Sequence, residues 1–214
     1  MTGKINPVMY QRSSNSNKND PAVNLYLRLL LVLLKNMTVS PRHHSHACES
    51  RFRVLPHDLD AFGHMNNGRY LQIMDVARAE WMMQTGVASA IRQNRWGPVL
   101  GGGFTRFRHS MKLWQSYSVL TRLLGWDNHW FYLEHCFLDK QQRYVAVGVT
   151  RAGLRKKGAW VPAQKVANIV APGATSPLIP DHVLEWLELE QRMYQHGKEH
   201  WQQHIEIKNY KKAG

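Results

Sequence analysis

Carboxylate, imidazole and amide side chains are concentrated between residues 58 and 70 of the chain. Asp58 and Asp60 come first, His64 follows, and Asn66 and Asn67 stand directly before an apolar helical pattern. The start of a helix has N–H groups without intrahelical acceptors and a partial positive charge, so it can polarise a carbonyl oxygen and stabilise developing negative charge. A carboxylate just upstream could attack that carbonyl or activate water. The stretch therefore indicates a site for attack on a carbonyl group.

The same residues also have a purely structural interpretation. Asp58 and Asp60 are typical of an Asx turn, and either Asn66 or Asn67 can cap the following helix by accepting a backbone N–H. The residue types alone leave the catalytic and the structural interpretation open.

Strand and helix patterns surround this stretch and must position it. Residues 51–55 alternate like a strand, and apolar residues at steps of three and four predict a helix from Asn66 or Asn67 to a stop at Gly86. After a polar connection at residues 92–95, the sequence predicts four more strands, at 99–109, 117–124, 130–138 and 144–152. One long helix against one antiparallel sheet is an α+β architecture.

The ends of the chain differ from this central domain. We expect a disordered polar segment at residues 1–21, an apolar helix and linker at 22–48, the main domain at 49–160, and an irregular segment followed by a C-terminal helix at 161–214. The apolar run from Leu25 to Leu34 is shorter than the roughly 20 residues of a membrane-spanning helix. It must pack against the domain or a second subunit, or lie as a shallow anchor in a membrane surface.

Charge and metal-ligand patterns narrow the function further. The chain has a formal net charge of +13, which lies mostly in residues 51–160 and would attract nucleic acid, a membrane surface or a phosphorylated coenzyme. Its two cysteines are too few and too far apart for a disulfide scaffold or a CxxC metal site. His196, His200 and His204 share one helical face, but their polar neighbours favour an exposed histidine-rich face, and we expect no metal.

The motif residues also carry a family resemblance. Asp58-Leu59-Asp60, Gly63-His64-Met65-Asn66-Asn67 and Tyr70 resemble the D-x-D-x-x-G-H-x-N-N-x-x-Y signature of hot-dog-fold thioesterases of the 4-hydroxybenzoyl-CoA thioesterase type. Residues 121–127 and 131–134 are similar to a less characterised branch of acyl-CoA thioesterase-like proteins. The resemblance covers about residues 50–160.

The resemblance implies both a fold and a catalytic site. The fold is one long helix wrapped by a curved antiparallel sheet of about five strands, in a homodimer or dimer of dimers with active sites at the subunit interface. It implies that Asp60 is the nucleophile or general base, and that the backbone N–H near Asn67 polarises the thioester carbonyl. His64 is assigned to the same catalytic site, and Asp58 to shaping the loop.

Substrate contacts are expected from a second set of residues. Gly63, Asn66 and Tyr70 match the motif and are assigned to the substrate site. Arg106 and Arg108 could hold the phosphates of a coenzyme A thioester, because guanidinium groups bind phosphate strongly.

We therefore expect a metal-independent hydrolase of an acyl-CoA or related acyl thioester, without a cofactor, since coenzyme A is only part of the substrate. The alternative is a non-catalytic module that binds an acyl thioester or lipid on the same fold. A hydratase acting on the thioester would also use this fold. Nucleic-acid binding rests on charge alone and is not expected. The expected location is cytoplasmic, with peripheral membrane contact through residues 22–35.

Overall fold

The computed structural model describes residues 21–36 and 47–213. Of the predicted disordered segment at 1–21 and the predicted linker at 36–48, residues 1–20 and 37–46 lie outside the described residues. The structure places Pro21 and Asn36 at the ends of α1, and Cys48 at the start of β1, so these segments are shorter than predicted. The helices of the described part are α1 (Pro21–Asn36), α2 (Asn67–Gln84), α3 (Val87–Asn94), α4 (Ala163–Val170) and α5 (Asp181–Ala213). Its strands are β1 (Cys48–Arg53), β2 (Gly97–Phe107), β3 (Ser116–Trp126), β4 (Trp130–Asp139), β5 (Tyr144–Lys156) and β6 (Ala159–Trp160).

The strands form one antiparallel sheet that curls around α2. Their order is β1-β3-β4-β5-β2, and the short β6 pairs with β5. Register shifts at Leu100/Gly102 and Leu123/Gly125 are bulges, which bend a strand and increase its twist. The α+β architecture of one long helix and a curved sheet of about five strands, with helices at both ends, confirms the predicted fold class.

The core lies between α2 and the inner face of the sheet. Tyr70, Met74 and Ala77 recur at helical spacing and pack against Phe137 and other buried residues of the sheet. Gly148 allows this close approach, because a Cβ at that position would lie 2.6 Å from the Met74 sulfur. On the other face of the sheet, Val183, Trp186 and Leu187 of α5 pack against a cluster that includes Leu124, Tyr132 and Val149.

Two short helices were not predicted. α3 includes residues that the sequence analysis assigned to a polar connection, and α4 lies within the segment predicted to be irregular. In α4 the signal was present, since Ala163, Val166, Ala167 and Val170 follow the i, i+3, i+4, i+7 pattern of a buried helical face. The segment was predicted to be irregular because of its neighbouring prolines.

No helix among the described residues has both the length and the apolarity needed to cross a bilayer.

A fully buried histidine joins the three central strands of the sheet. The His135 ring on β4 lies with Nδ1 3.1 Å from the Thr121 hydroxyl on β3 and Nε2 3.1 Å from the Thr150 hydroxyl on β5. Burial lowers the pKa of His135 from 6.5 to about 3. The ring is therefore neutral in the folded protein over most of the acidic range.

This histidine should make folding stability depend on pH. Between pH 6.5 and about 3 the unfolded chain binds a proton at His135 that the folded chain does not bind, so the free energy of unfolding falls as the pH falls through that window. We predict that the free energy of unfolding of His135→Gln falls less steeply as the pH is lowered. The difference in slope should correspond to at most one bound proton. Urea unfolding at stepped pH measures the slope, and equal slopes in the two proteins would contradict the prediction.

Candidate active site

A short hairpin-like loop presents Asp60 at its tip. The Asn66 N–H donates to the Asp58 carbonyl at 2.8 Å, and the Asp60 N–H donates to the His64 carbonyl at 2.8 Å. Gly63, with a φ of +74°, closes the turn in the left-handed region that glycine adopts without strain. The backbone therefore holds Asp60 close to the beginning of α2.

The Asp60 carboxylate is held by one of its two oxygens. Oδ1 accepts hydrogen bonds from the Phe62 N–H at 2.9 Å and the His64 N–H at 3.3 Å. This is the Asx-turn geometry of the structural interpretation. Oδ2 has no hydrogen-bond partner in the part of the chain that the structure describes, and the residue is partly exposed. The turn thus orients the side chain and leaves an oxygen available for chemistry.

The two asparagines at the start of α2 have different roles. Asn66 is the N-cap, and its side-chain oxygen accepts the Gly68 N–H at 2.8 Å while its carbonyl accepts the Arg69 N–H at 2.9 Å. α2 begins at Asn67, whose N–H has no acceptor within the described residues. Asn67 is exposed, so its N–H can be reached by a ligand.

His64 acts on the loop through its backbone. Its N–H and carbonyl both bind Asp60, and it forms an isolated bridge with Lys112 from the other side of the loop. Its backbone therefore fixes the position of the Asp60 carboxylate.

Tyr70 is buried in the first turn of α2, and the two arginines assigned to the substrate are on the surface. Tyr70 is 2% exposed, and its ring contacts Phe107 and Phe137 at centroid distances of 5.0 and 5.1 Å. Burial raises the pKa of Tyr70 to about 12. Its position supports core packing rather than the predicted substrate contact. Arg106 and Arg108 are exposed, at the end of β2 and just beyond it.

Asp58 is a buried brace for this loop. Its side chain is 1% exposed, accepts the Leu55 N–H at 2.9 Å and pairs with Arg28 of α1 at 2.5 Å. A second guanidinium, that of Arg69, lies 3.8 Å away. These two arginines balance the charge of the Asp58 carboxylate. Burial lowers the pKa of the adjacent His57. Asp58 is thus placed to shape the loop rather than to meet substrate.

The sequence analysis missed the part that α1 plays in this site. Arg28 and Lys35 are two helical turns apart and lie on the same face, which is turned toward the domain. The signal was a pair of cations at i and i+7 in an otherwise apolar helix, which predicts acidic partners on the domain.

An apolar pocket of about 250 Å³ opens at the C-terminal half of α2. Its lining combines α2 and α3 with β2, β4 and β5. Asp75 and Arg78, which form an ion pair, are its charged residues. The apolar residues that line it include Trp81, Met82, Val87, Leu100, Phe131 and Leu133.

The described residues contain no group of three or more His, Cys, Asp or Glu side chains placed to hold a metal ion. The rings of His196 and His200 stack at a centroid distance of 6.4 Å. The side chain of His204, and those of His43, His44 and His46, lie outside the description.

Comparison with known sequences extends this description. Residues 54–187 match a family model described as the thioesterase-like superfamily. Protein THEM6 of Xenopus laevis is 35% identical over 136 residues, 63% of this chain and 64% of that protein. Protein THEM6 of Drosophila melanogaster is 31% identical over 133 residues, 61% of this chain and 67% of that protein. The match thus spans less than two thirds of the length of the Xenopus relative.

Solved structures resemble the same central part. A probable thioesterase of Escherichia coli, YbaW, superposes with a TM-score of 0.54 at 15% identity, over 59% of this chain and 97% of that protein. The gentisyl-coenzyme A thioesterase BH1999 gives a TM-score of 0.52 at 22% identity, over 56% of this chain and 99% of that protein. Likenesses at these identities show the fold, which is the predicted hot-dog fold.

The Arg28 and Asp58 pair yields a stability prediction. Replacing Arg28 by Met removes the nearest cation from a buried carboxylate, which should lower the free energy of unfolding by roughly 2–4 kcal/mol in urea titrations. Adding Asp58→Asn to that variant removes the unpaired charge and should recover part of the loss.

The control for this prediction is Arg51→Met. Arg51 pairs with Glu49 in solvent, and its side chain is 81% exposed, so its loss should leave the free energy of unfolding almost unchanged. Equal stability of Arg28→Met and the unmodified protein would show that Arg28 does not hold Asp58.

Proposed function

This chain belongs to the thioesterase-like superfamily, and we propose that it hydrolyses the thioester of an acyl-coenzyme A with Asp60 as the catalytic carboxylate. Family membership supports hydrolysis of an acyl thioester in general. The carrier and the roles of individual residues are our proposal. The observation that carries it is the Asp60 side chain, anchored through Oδ1 and unpaired at Oδ2 within the described chain, beside a helix start with an available N–H.

Each step of the reaction has a group to perform it. Asp60 Oδ2 takes a proton from water as the water oxygen bonds to the thioester carbon, or bonds to that carbon itself to form an anhydride that water then cleaves. The Asn67 N–H and the dipole of α2 stabilise the negative oxygen that forms in either case. Collapse breaks the carbon–sulfur bond, the thiolate leaves and takes up a proton, and the acid is released.

The apolar pocket is proposed to hold the acyl group. Its lining is aliphatic and aromatic, which suits a hydrocarbon or aromatic acyl chain. Arg78 and Trp81 of this pocket lie 11 and 14 residues beyond Asn67, or roughly 16–21 Å along the helix axis. Within one chain, the pocket and the Asp60 loop are therefore at different ends of α2.

A two-fold dimer would bring them together. Among the described strands β2 pairs only with β5, so its other edge is open to a second β2. The pocket includes Pro98, Val99 and Leu100 from the beginning of β2, whereas Phe107 at its end contacts Tyr70 near the Asp60 loop. Antiparallel pairing of two β2 strands sets the beginning of one beside the end of the other. We propose that each pocket is served by Asp60 of the other subunit.

Asp60→Asn tests the catalytic role. The amide keeps the size and can still accept hydrogen bonds, but it cannot act as a base or nucleophile, so thiol release from acyl-CoAs should fall by roughly 10²–10⁴-fold. A coupled thiol assay over short, long and aromatic acyl-CoAs measures it. Asp181→Asn, at an exposed carboxylate at the start of α5, is the matched control and should retain full turnover. Full turnover in Asp60→Asn would exclude the proposed role.

Met82→Trp tests the pocket. The larger ring would fill the pocket, so KM for long acyl chains should rise by about tenfold or more while short acyl chains are turned over as before. Met83→Trp is the matched control, because Met83 is the next residue on α2 and does not line the pocket. Equal KM values for all chain lengths in Met82→Trp would place the acyl group elsewhere.

A further inference from the structure

Helix α1 turns Arg28 and Asn36 inward together with only part of its apolar surface. Leu25, Arg28, Val32 and Asn36 are buried or partly buried against the domain. The opposite side carries large apolar side chains that are about half exposed or more, and we name it the outer leucine face: Tyr26 68%, Leu27 54%, Leu30 49%, Leu31 57% and Leu34 56%. A surface helix of a soluble protein normally has the reverse arrangement.

Buried charges fix this orientation at both ends of the helix. Near one end Arg28 pairs with Asp58 at 2.5 Å and donates to the Arg53 carbonyl at 3.4 Å. At the other end Lys35 pairs with Glu80 at 2.9 Å, and Asn36 donates to the same carboxylate at 3.3 Å. Turning the helix to bury its leucines would leave two buried carboxylates without these partners, which is strongly unfavourable. The five side chains of the outer leucine face are therefore held outward.

Single exposed leucines are common, but a contiguous set on one face marks an interaction surface. Positions 26, 27, 30, 31 and 34 fall within one side of an α-helix. From this arrangement we propose that the outer leucine face docks on a lipid bilayer surface, with α1 lying in the plane of the interface.

The chemistry of the face matches lipid better than protein. Its side chains offer a single polar group, the Tyr26 hydroxyl, whereas protein interfaces form about one hydrogen bond per 100–200 Å². The face consists of five side chains, whereas each side of a stable protein–protein interface contains roughly 20–30 residues.

The charge of the chain fits an anionic bilayer. α1 contains no acidic residue, Lys35 at its end has a side chain that is 61% exposed, and the whole chain carries a formal net charge of +13. Basic residues beside an apolar helical face add attraction to anionic headgroups.

The position of α1 also favours lipid over a second copy of the chain. α1 contacts the sheet at β1, through Arg28 and the Arg53 carbonyl, and β1 is the edge strand opposite β2. The open edge of β2 is the one suited to pairing with another subunit. α1 packs on α2 and reaches the sheet at β1, so the outer leucine face is not part of the β2 edge.

Vesicle binding tests the proposal with the full chain. Phosphatidylcholine vesicles with and without phosphatidylserine are sedimented with the protein, and we expect binding that is stronger with phosphatidylserine. The triple variant Leu27→Gln, Leu31→Gln, Leu34→Gln removes the apolar contact without adding charge, so the partition coefficient should fall by about tenfold or more. Its thermal midpoint should be unchanged, because the three side chains are exposed.

Matched variants separate the outcomes. Leu178→Gln with Leu189→Gln removes exposed leucines elsewhere and should sediment like the unmodified protein. Asp60→Asn should also sediment normally, so failure of the catalytic proposal leaves this one standing. The proposal is overturned if the unmodified protein stays in solution with both kinds of vesicle. It is equally overturned if the triple variant still binds, or if the triple substitution only converts a dimer into a monomer.

Discussion

Two buried carboxylates, those of Asp58 and Glu80, require cations or hydrogen-bond donors from the elements that surround them. Both are 1% exposed, and a carboxylate out of water is stable only with a cation or several hydrogen-bond donors around it. Glu80 accepts hydrogen bonds from Ser50 of β1, from Gln84 one turn further along α2, and from Lys35 and Asn36 of α1. Asp58 takes Arg28 from the same helix. These ion pairs fix which side of α1 faces the domain, while five of its apolar side chains stay exposed.

The contacts of Asp58 also support Asp60, the carboxylate proposed to be catalytic, two residues away. Its carboxylate holds the Leu55 N–H, and its carbonyl holds the Asn66 N–H, so it fixes both the entry to the loop and the start of α2. Asp60 is then positioned by backbone groups alone, with no side-chain partner that would compete for its second oxygen in the described chain. A reactive carboxylate needs this combination, because it must be oriented while one oxygen stays free. Main-chain donors and the neighbouring buried acid orient Asp60, and its second oxygen stays free.

The local pattern of apolar and polar residues predicted most of the helices and strands. Most of what it missed depends on contacts between residues far apart in the sequence. The central strands were predicted within a few residues because short runs rich in β-branched and aromatic residues, bounded by turn residues, are typical of strands. Tyr70 was assigned to substrate from the motif, although its place in the apolar series with Met74 and Ala77 already indicated the core. α3 and α4 are only two turns long, and such helices are stabilised by tertiary contacts rather than by their own propensity. The pairing of Arg28 with Asp58 joins residues 30 apart, and no local rule predicts which acid meets which base.

The two edges of the sheet suit different partners for the same physical reason. Among the described strands, none pairs with the outer edge of β2, and another strand could satisfy the backbone groups of such an edge along its length. β1 ends the sheet at the other side, where α1 lies beside it and presents aliphatic side chains that need no hydrogen bonds. A polar edge selects a protein of matching geometry, whereas an apolar helical face is satisfied by any hydrocarbon environment. A subunit that pairs through β2 and rests on lipid through α1 would keep both surfaces from water without either interaction obstructing the other.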